Sequence, residues 1–172
     1  MIAGISSDLL NRFTLFSQFA SVSSCEQNIN STEQKLTCEF DTCGFVEADD
    51  TVVTNTFQNN GPTGYIALDH TQELIILAFR GTISDDDGRT DLNVAFVSID
   101  DSICTGCKAH AGFWDYWTHV EDQVTSQLQN TTGLYPNYSL NIVGHSLGGA
   151  VATLAGTALR KAGFTLDIVS RT

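Results

Sequence analysis

The stretch SLNIVGHSLGGA, residues 139–150, decides the fold of this chain. It begins with an apolar run that is typical of a strand, and small residues follow at once. Gly144, Ser146 and Gly148 fit the pattern Gly-x-Ser-x-Gly, which makes a sharp turn from a strand into a helix. Such a turn strains the serine backbone and exposes the hydroxyl, so the pattern predicts Ser146 as a nucleophile. The alternative is a glycine-rich turn whose serine has no role.

The residues after Ser146 predict a helix that begins at the serine. Apolar residues recur at helical spacing, and Gly163 ends the run. The free N–H groups at a helix N-terminus stabilise negative charge that develops nearby. We therefore expect the N–H of Leu147 to be an oxyanion donor, with His145 and Gly149 completing the turn around the serine.

Composition indicates one domain, residues 1–172, and argues against two classes of partner. Hydrophobic residues make up 42% of the chain, and the net charge is −12. This acidity argues against nucleic acids and anionic membrane surfaces as electrostatic partners. No apolar run reaches the length of a transmembrane helix.

Five cysteines indicate an oxidising compartment. Cys38 and Cys43 could close one short loop, and Cys104 and Cys107 another, which leaves Cys25 over. The Cys104-x-x-Cys107 spacing also fits a redox pair or a zinc site. Its loop context and the lack of a four-ligand set favour a plain disulfide.

Three N-glycosylation acceptor sequences, at Asn30, Asn130 and Asn137, also fit an extracellular protein. No signal peptide is visible after Met1, where Ser7 and Asp8 already suggest a helix cap. We expect secretion by means of a targeting segment that lies outside these residues.

Periodicity predicts the remaining elements. Residues 7–22 form a helix with one apolar face, which we expect in the core. The other predicted elements are strands at 45–46, 51–57 and 165–169, a hairpin of strands 64–68 and 73–79, and a helix at 111–128. The apolar face of the first helix consists of Leu9, Leu10, Phe13, Phe16 and Phe19.

The strand at 73–79 leads into Arg80, Gly81 and Thr82. Ligands of open α/β sheets meet the loops beyond the carboxyl ends of the strands, so Thr82 is the candidate for a second oxyanion donor. An ordinary turn threonine is the alternative. His110, which precedes the second helix, is more typical of a structural histidine than of a catalytic one.

With these motifs the chain resembles the secreted fungal lipases of the class 3 lipase family, over residues 7–169. The matching segments are Asp8-Leu9-Leu10-Asn11-Arg12-Phe13, Gly64-Tyr65-Ile66-Ala67-Leu68-Asp69, Phe79-Arg80-Gly81-Thr82, Cys104-x-x-Cys107-x-x-His110-x-Gly112-Phe113 and Gly144-His145-Ser146-Leu147-Gly148-Gly149. The resemblance implies an α/β-hydrolase fold with a mostly parallel sheet and flanking helices. It implies a monomeric serine hydrolase of the triacylglycerol lipase type, without metal or cofactor, that acts on an ester or lipid and touches a lipid interface transiently.

The same resemblance implies roles for further residues. Thr82 and Leu147 correspond to the oxyanion donors, and residues 83–93 to the lid, including Ile83, Asp87, Arg89 and Asp91. Two family disulfides correspond to Cys38–Cys43 and Cys104–Cys107. Cys25 corresponds to a cysteine whose partner lies near the family's C-terminus.

Two departures from the family pattern matter. Residues 83–93 are acidic and lack the tryptophan of many family lids, which favours soluble esters such as those cut by feruloyl esterases. No histidine and only one acid, Asp167, follow Ser146, although the triad order of this fold requires both. We therefore expect a C-terminally truncated chain with little activity. The alternative is a lipase-like binding module without catalysis.

Overall fold

The computed structural model describes residues 4–39, 42–58, 61–81 and 95–171. Its helices are α1 (Ser7–Val22), α2 (Gly44–Ala48), α3 (Ala111–Thr118), α4 (Glu121–Leu134) and α5 (Leu147–Lys161), with a 3-10 turn at Glu26–Asn28. Its strands are β1 (Thr51–Gln58), β2 (Thr63–Asp69), β3 (Leu74–Phe79), β4 (Phe96–Ser98), β5 (Lys108–His110), β6 (Ser139–Gly144) and β7 (Leu166–Arg171).

The described strands form a five-stranded sheet in the order β1-β2-β3-β6-β7, and a small hairpin of β4 and β5. The pairs β1–β2 and β2–β3 are antiparallel, whereas β3–β6 and β6–β7 are parallel. The α/β-hydrolase fold class is confirmed, but the sheet is mixed and not mostly parallel. Half of its pairings belong to the antiparallel meander that precedes the first crossover.

Both faces of the sheet are covered by helices, which explains the apolar run in β3. Ile75, Leu77 and Phe79 pack on the side of α3, α4 and α5. Leu74, Ile76 and Ala78 alternate with them and pack on the side of α1 and α2. The buried β3 is therefore held at the centre of the sheet, and its carboxyl end is fixed in place.

Several predictions are confirmed: α1, the β2–β3 hairpin, β6, α5 and β7 lie where periodicity placed them. The strand predicted at 45–46 is wrong, because those residues belong to the short helix α2. The helix predicted at 111–128 is two helices, which are separated at His119 and Val120. The hairpin of β4 and β5 was not predicted.

The apolar face predicted for α1 is only half buried. Phe16 and Phe19 pack in the core, whereas Leu9, Leu10 and Phe13 are exposed. The predicted cap at Ser7 and Asp8 lies one residue earlier, since Ser6 Oγ accepts a hydrogen bond from the Leu9 N–H at 3.3 Å.

Candidate active site

Ser146 occupies the sharp turn between β6 and α5 with a backbone geometry that L-residues rarely adopt. Its φ is 54° and its ψ is −121°. A non-glycine residue in this region is strained, and such strain persists only where the surroundings enforce it. Ser146 and His145 are both exposed, although Gly144 and Gly148 on either side are buried. The turn therefore lifts the serine out of a buried framework.

Two close backbone contacts enforce this turn. A Cβ atom added at Gly144 would lie 2.2 Å from the carbonyl oxygen of Gly148. A Cβ atom added at Gly148 would lie 2.2 Å from the carbonyl oxygen of Phe79, at the end of β3. Both positions require glycine for space, because the backbone of Gly148 fills the volume beside Gly144 and the backbone of Phe79 fills the volume beside Gly148. The turn is thus locked against the end of the neighbouring strand.

The first turn of α5 presents backbone N–H groups toward the serine. The N–H groups of Gly149 and Ala150 donate to the carbonyl oxygen of Ser146, at 3.0 and 3.3 Å. The N–H groups of Leu147 and Gly148 precede them, at the positive end of the helix dipole. Arg160 and Lys161 in the last turn complement the opposite end. The arrangement has the chemistry of an anion-stabilising site beside a hydroxyl.

The end of β3 lies against the same turn. Phe79 pairs with Gly144 in the parallel register of β3 and β6, so the two strands end side by side. A Cβ atom added at Gly81 would lie 2.8 Å from the carbonyl oxygen of His145 and 3.5 Å from Cβ of Ser146. No local sequence signal predicts this contact, because it joins residues far apart in the chain. Thr82 follows Gly81 directly but lies outside the described residues, as do Ile83, Asp87, Arg89 and Asp91.

Asp167, the only acid after the serine, lies at the other end of the sheet. Its neighbour Leu166 pairs with Leu140 near the start of β6, whereas Arg171 pairs with Gly144 beside the serine. Asp167 Oδ2 accepts a hydrogen bond from Arg12 Nη2 at 2.7 Å. Its position and its partner make Asp167 unsuitable as the acid of a triad.

Three of the four histidines have contacts of their own. His70 Nδ1 lies 2.8 Å from Tyr138 Oη, on the turn after β2 and away from the serine. His110 is stacked on Phe113 with ring centroids 4.3 Å apart. His119 Nδ1 lies 2.7 Å from the carbonyl oxygen of Asp115. These contacts indicate structural roles.

The cysteines lie in two pairs and one free thiol among the described residues. Cys38 is bonded to Cys43, and Cys104 to Cys107. Cys25 has a free, half-buried thiol, and burial raises its pKa. The acceptor residues Asn30, Asn130 and Asn137 are all exposed. Within the described ranges no cluster of His, Cys, Asp and Glu is arranged to hold a metal ion.

Among the described residues, no helix combines the length and the apolar character that crossing a bilayer requires.

Comparison with known proteins shows that the chain is similar to lipases. Residues 76–171 match the model of the family described as lipase (class 3). The chain is 39% identical over 164 residues to secreted mono- and diacylglycerol lipase A of Penicillium cyclopium, covering 93% of this chain and 53% of that protein. The chain thus spans about half the length of this relative.

Solved structures show the same likeness. The crystal structure of a mutant form of MDLA from Penicillium cyclopium superposes with a TM-score of 0.86 at 37% identity, covering 96% of this chain and 62% of that one. A triacylglycerol lipase whose catalytic centre is a serine protease triad superposes with a TM-score of 0.81 at 25% identity, covering 96% and 60%.

Proposed function

Because the chain belongs to the class 3 lipase family, we propose that it carries the nucleophile and the oxyanion site of a secreted serine hydrolase that cleaves carboxylic esters. The observation that carries this proposal is the exposed Ser146, strained at φ 54° on a turn that Gly144 and Gly148 lock. The serine hydroxyl lies at the N-terminus of α5, where charge developing on a carbonyl oxygen is stabilised.

In the proposed reaction, Ser146 Oγ attacks the ester carbonyl carbon and the carbonyl oxygen becomes an oxyanion. The N–H of Leu147 donates to this oxygen, and the N–H of Thr82 is the proposed second donor. A general base takes the serine proton and returns it to the leaving alcohol, and water then releases the acyl group. The family resemblance assigns the base to a histidine oriented by an acid.

We propose that no residue of this chain fills the role of the general base. No histidine follows Ser146 in the sequence. His70 and His119 make polar contacts elsewhere, and His110 is stacked on Phe113. Loss of triad members costs serine hydrolases about 10⁴ to 10⁶ in turnover. We therefore expect the 172 residues by themselves to hydrolyse esters slowly, by means of the oxyanion site and binding alone.

We propose mono- and diacylglycerols as the substrate class. The named function of the Penicillium relative supports this choice. The acidic sequence of residues 83–93 favours more soluble esters over the triacylglycerol of an oil droplet, and partial glycerides are more polar than triacylglycerol. We further propose that residues 1–172 belong to a single extracellular domain. This domain is monomeric and touches lipid only transiently. If the chain cleaves a feruloyl ester faster than a monoacylglycerol, soluble esters would replace partial glycerides as the proposed substrate class.

The test of the activity is hydrolysis of 4-nitrophenyl butyrate by the wild-type chain and by Ser146→Ala. Ser126→Ala is the matched control, because Ser126 is exposed on α4. We expect slow turnover that Ser146→Ala abolishes and Ser126→Ala leaves unchanged. A rate that survives Ser146→Ala would remove the serine from the mechanism, and a fast Ser146-dependent rate would show that the general base is present after all.

A further inference from the structure

The turn between α4 and β6 combines a glycosylation acceptor with an aromatic side chain. It contains Tyr135, Pro136, Asn137 and Tyr138, and Ser139 begins β6. The N–H of Tyr138 donates to the carbonyl oxygen of Tyr135 at 3.1 Å, which closes a four-residue turn with proline at its second position. Asn137 and Ser139 are exposed. The aromatic residue therefore precedes the accessible acceptor asparagine by two positions in the sequence.

The other two acceptor sequences lack this arrangement. Asn130 lies inside α4, and Leu128, two residues before it, is fully buried. Asn28, two residues before Asn30, is 3% exposed and donates to the carbonyl oxygen of Thr37 at 2.7 Å. Only at Asn137, among the three, does a partly exposed aromatic side chain precede the acceptor at this distance.

The ring of Tyr135 is held in place by its neighbours. Its centroid lies 5.1 Å from that of Tyr138 and 5.8 Å from that of His70. The 2.8 Å contact between His70 Nδ1 and Tyr138 Oη ties these two residues together. A cavity of about 210 Å³ opens beside Tyr135, bordered by Pro136, Leu140 and Phe164. A half-buried, fixed ring beside open space loses little conformational entropy when a ligand packs on it.

We propose that Asn137 is N-glycosylated and that the first N-acetylglucosamine packs its apolar face on Tyr135. In the attachment step, the amide nitrogen of Asn137 bonds to C1 of a lipid-pyrophosphate-linked oligosaccharide. The C1–O bond to the pyrophosphate breaks, the lipid pyrophosphate leaves, and the amide loses one proton. The sugar then covers apolar ring surface and stabilises the turn that leads into β6. This inference rests on the secretion proposed above.

The test uses the chain expressed through a yeast secretory pathway with a heterologous leader peptide. Glycopeptide mass spectrometry shows whether Asn137 carries a glycan. The thermal midpoint is then compared with that of Ser139→Ala, which removes the acceptor sequence and keeps both Asn137 and Tyr135. We expect a glycan at Asn137 and a midpoint about 2–4 °C higher with the glycan than without it.

The tyrosine is tested by repeating the comparison in three backgrounds. Tyr135→Phe should keep the difference, whereas Tyr135→Ala should reduce it to about 1 °C or less. Tyr135→Leu keeps apolar volume without a ring and replaces the alanine variant if that one does not fold. An unmodified Asn137, or an undiminished difference without the ring, would overturn the proposal. Neither readout involves ester hydrolysis, so a failure here is distinct from a failure of the proposed activity.

Discussion

At the carboxyl ends of β3 and β6, backbone lies directly against backbone, whereas at the opposite ends of the same strands polar side chains hold the turns. At the first end, Gly148 leaves room for the carbonyl of Phe79. At the other end, Asp69 Oδ1 accepts hydrogen bonds from the N–H groups of Thr71 and Gln72, both at 2.9 Å. Arg12 and Asp167 form an ion pair at this second end.

This difference between the two ends of the sheet indicates that different interactions position the proposed nucleophile and stabilise the opposite turns. At the serine end, Gly144 and Gly148 have no room for a Cβ atom, and this steric contact fixes one exposed hydroxyl. The other end uses charges and hydrogen bonds, whose contributions depend on pH and are individually smaller. Substitutions at the two ends should therefore differ in size and in their response to pH.

The largest effect is expected for Gly148→Ala. The new methyl group would meet the carbonyl oxygen of Phe79 at 2.2 Å, and two backbone segments would have to separate. We expect the free energy of unfolding to fall by about 3 kcal/mol or more. Urea denaturation measures the change.

Gly133→Ala is the matched control for this substitution. Gly133 lies in α4 with nothing within 4 Å of an added Cβ atom. Alanine should raise the free energy of unfolding there by roughly 0.5–1 kcal/mol, since it favours the helix. Equal losses at both positions would contradict the proposed locking of the serine turn.

An intermediate effect, which depends on pH, is expected at Asp69. The side chain is fully buried, and its Oδ2 atom finds no donor among the described residues. Burial, together with the neighbouring carboxylate of Asp49, raises the pKa of Asp69. The resulting stabilisation is fully present below the unfolded-state pKa of about 3.9 and is lost as pH rises through the raised folded-state pKa.

Asp69→Asn should remove this pH dependence, because the amide replaces the protonated acid. We expect the thermal midpoint of the wild-type chain to decrease, relative to that of the variant, as pH rises above about 4. Asp122→Asn, at an exposed carboxylate on α4, is the control and should follow the wild-type profile. Parallel profiles for wild type and Asp69→Asn would show that folding does not raise the pKa of Asp69.

The smallest effect is expected for Asp167→Asn. The ion pair with Arg12 is about half exposed on both sides, and exposed pairs contribute between about 0.2 and 1 kcal/mol. The free energy of unfolding should fall by no more than this, and Ser146-dependent ester hydrolysis should not change. A loss of that hydrolysis with intact stability would mean that Asp167 acts in the reaction.

Much of the framework could be predicted because its signals are local. Residues 7–22 carry a helical repeat, and the apolar runs around the turn after Asp69 indicate the β2–β3 hairpin. The serine turn was predictable because the glycines needed for space lie within four residues of each other. The contact of Gly81 with His145 was not, since it joins residues 64 positions apart through the pairing of β3 with β6.

The errors have equally local causes. Phe45 and Val46 are two apolar residues in a row, too few to distinguish a strand from a helical turn. The break between α3 and α4 is invisible to periodicity, because Trp117, Val120 and Val124 are buried on both sides of it. The strands β4 and β5 have three residues each and too little buried surface to leave an alternating pattern.

The most direct test of the account is to find where an acyl group becomes attached. Incubation with an activated short-chain ester, followed by peptide mass spectrometry, should show one acyl group on Ser146 in wild type, Ser126→Ala and Asp167→Asn, and none on the corresponding peptide of Ser146→Ala. If the general base is absent from these residues, as proposed, both acylation and deacylation are slowed. The good leaving group of the activated ester then favours acylation over hydrolysis of the acyl-serine, so the adduct should accumulate. An acyl group elsewhere, with Ser146 unmodified in a folded chain, would contradict the claim that this strained serine is the nucleophile.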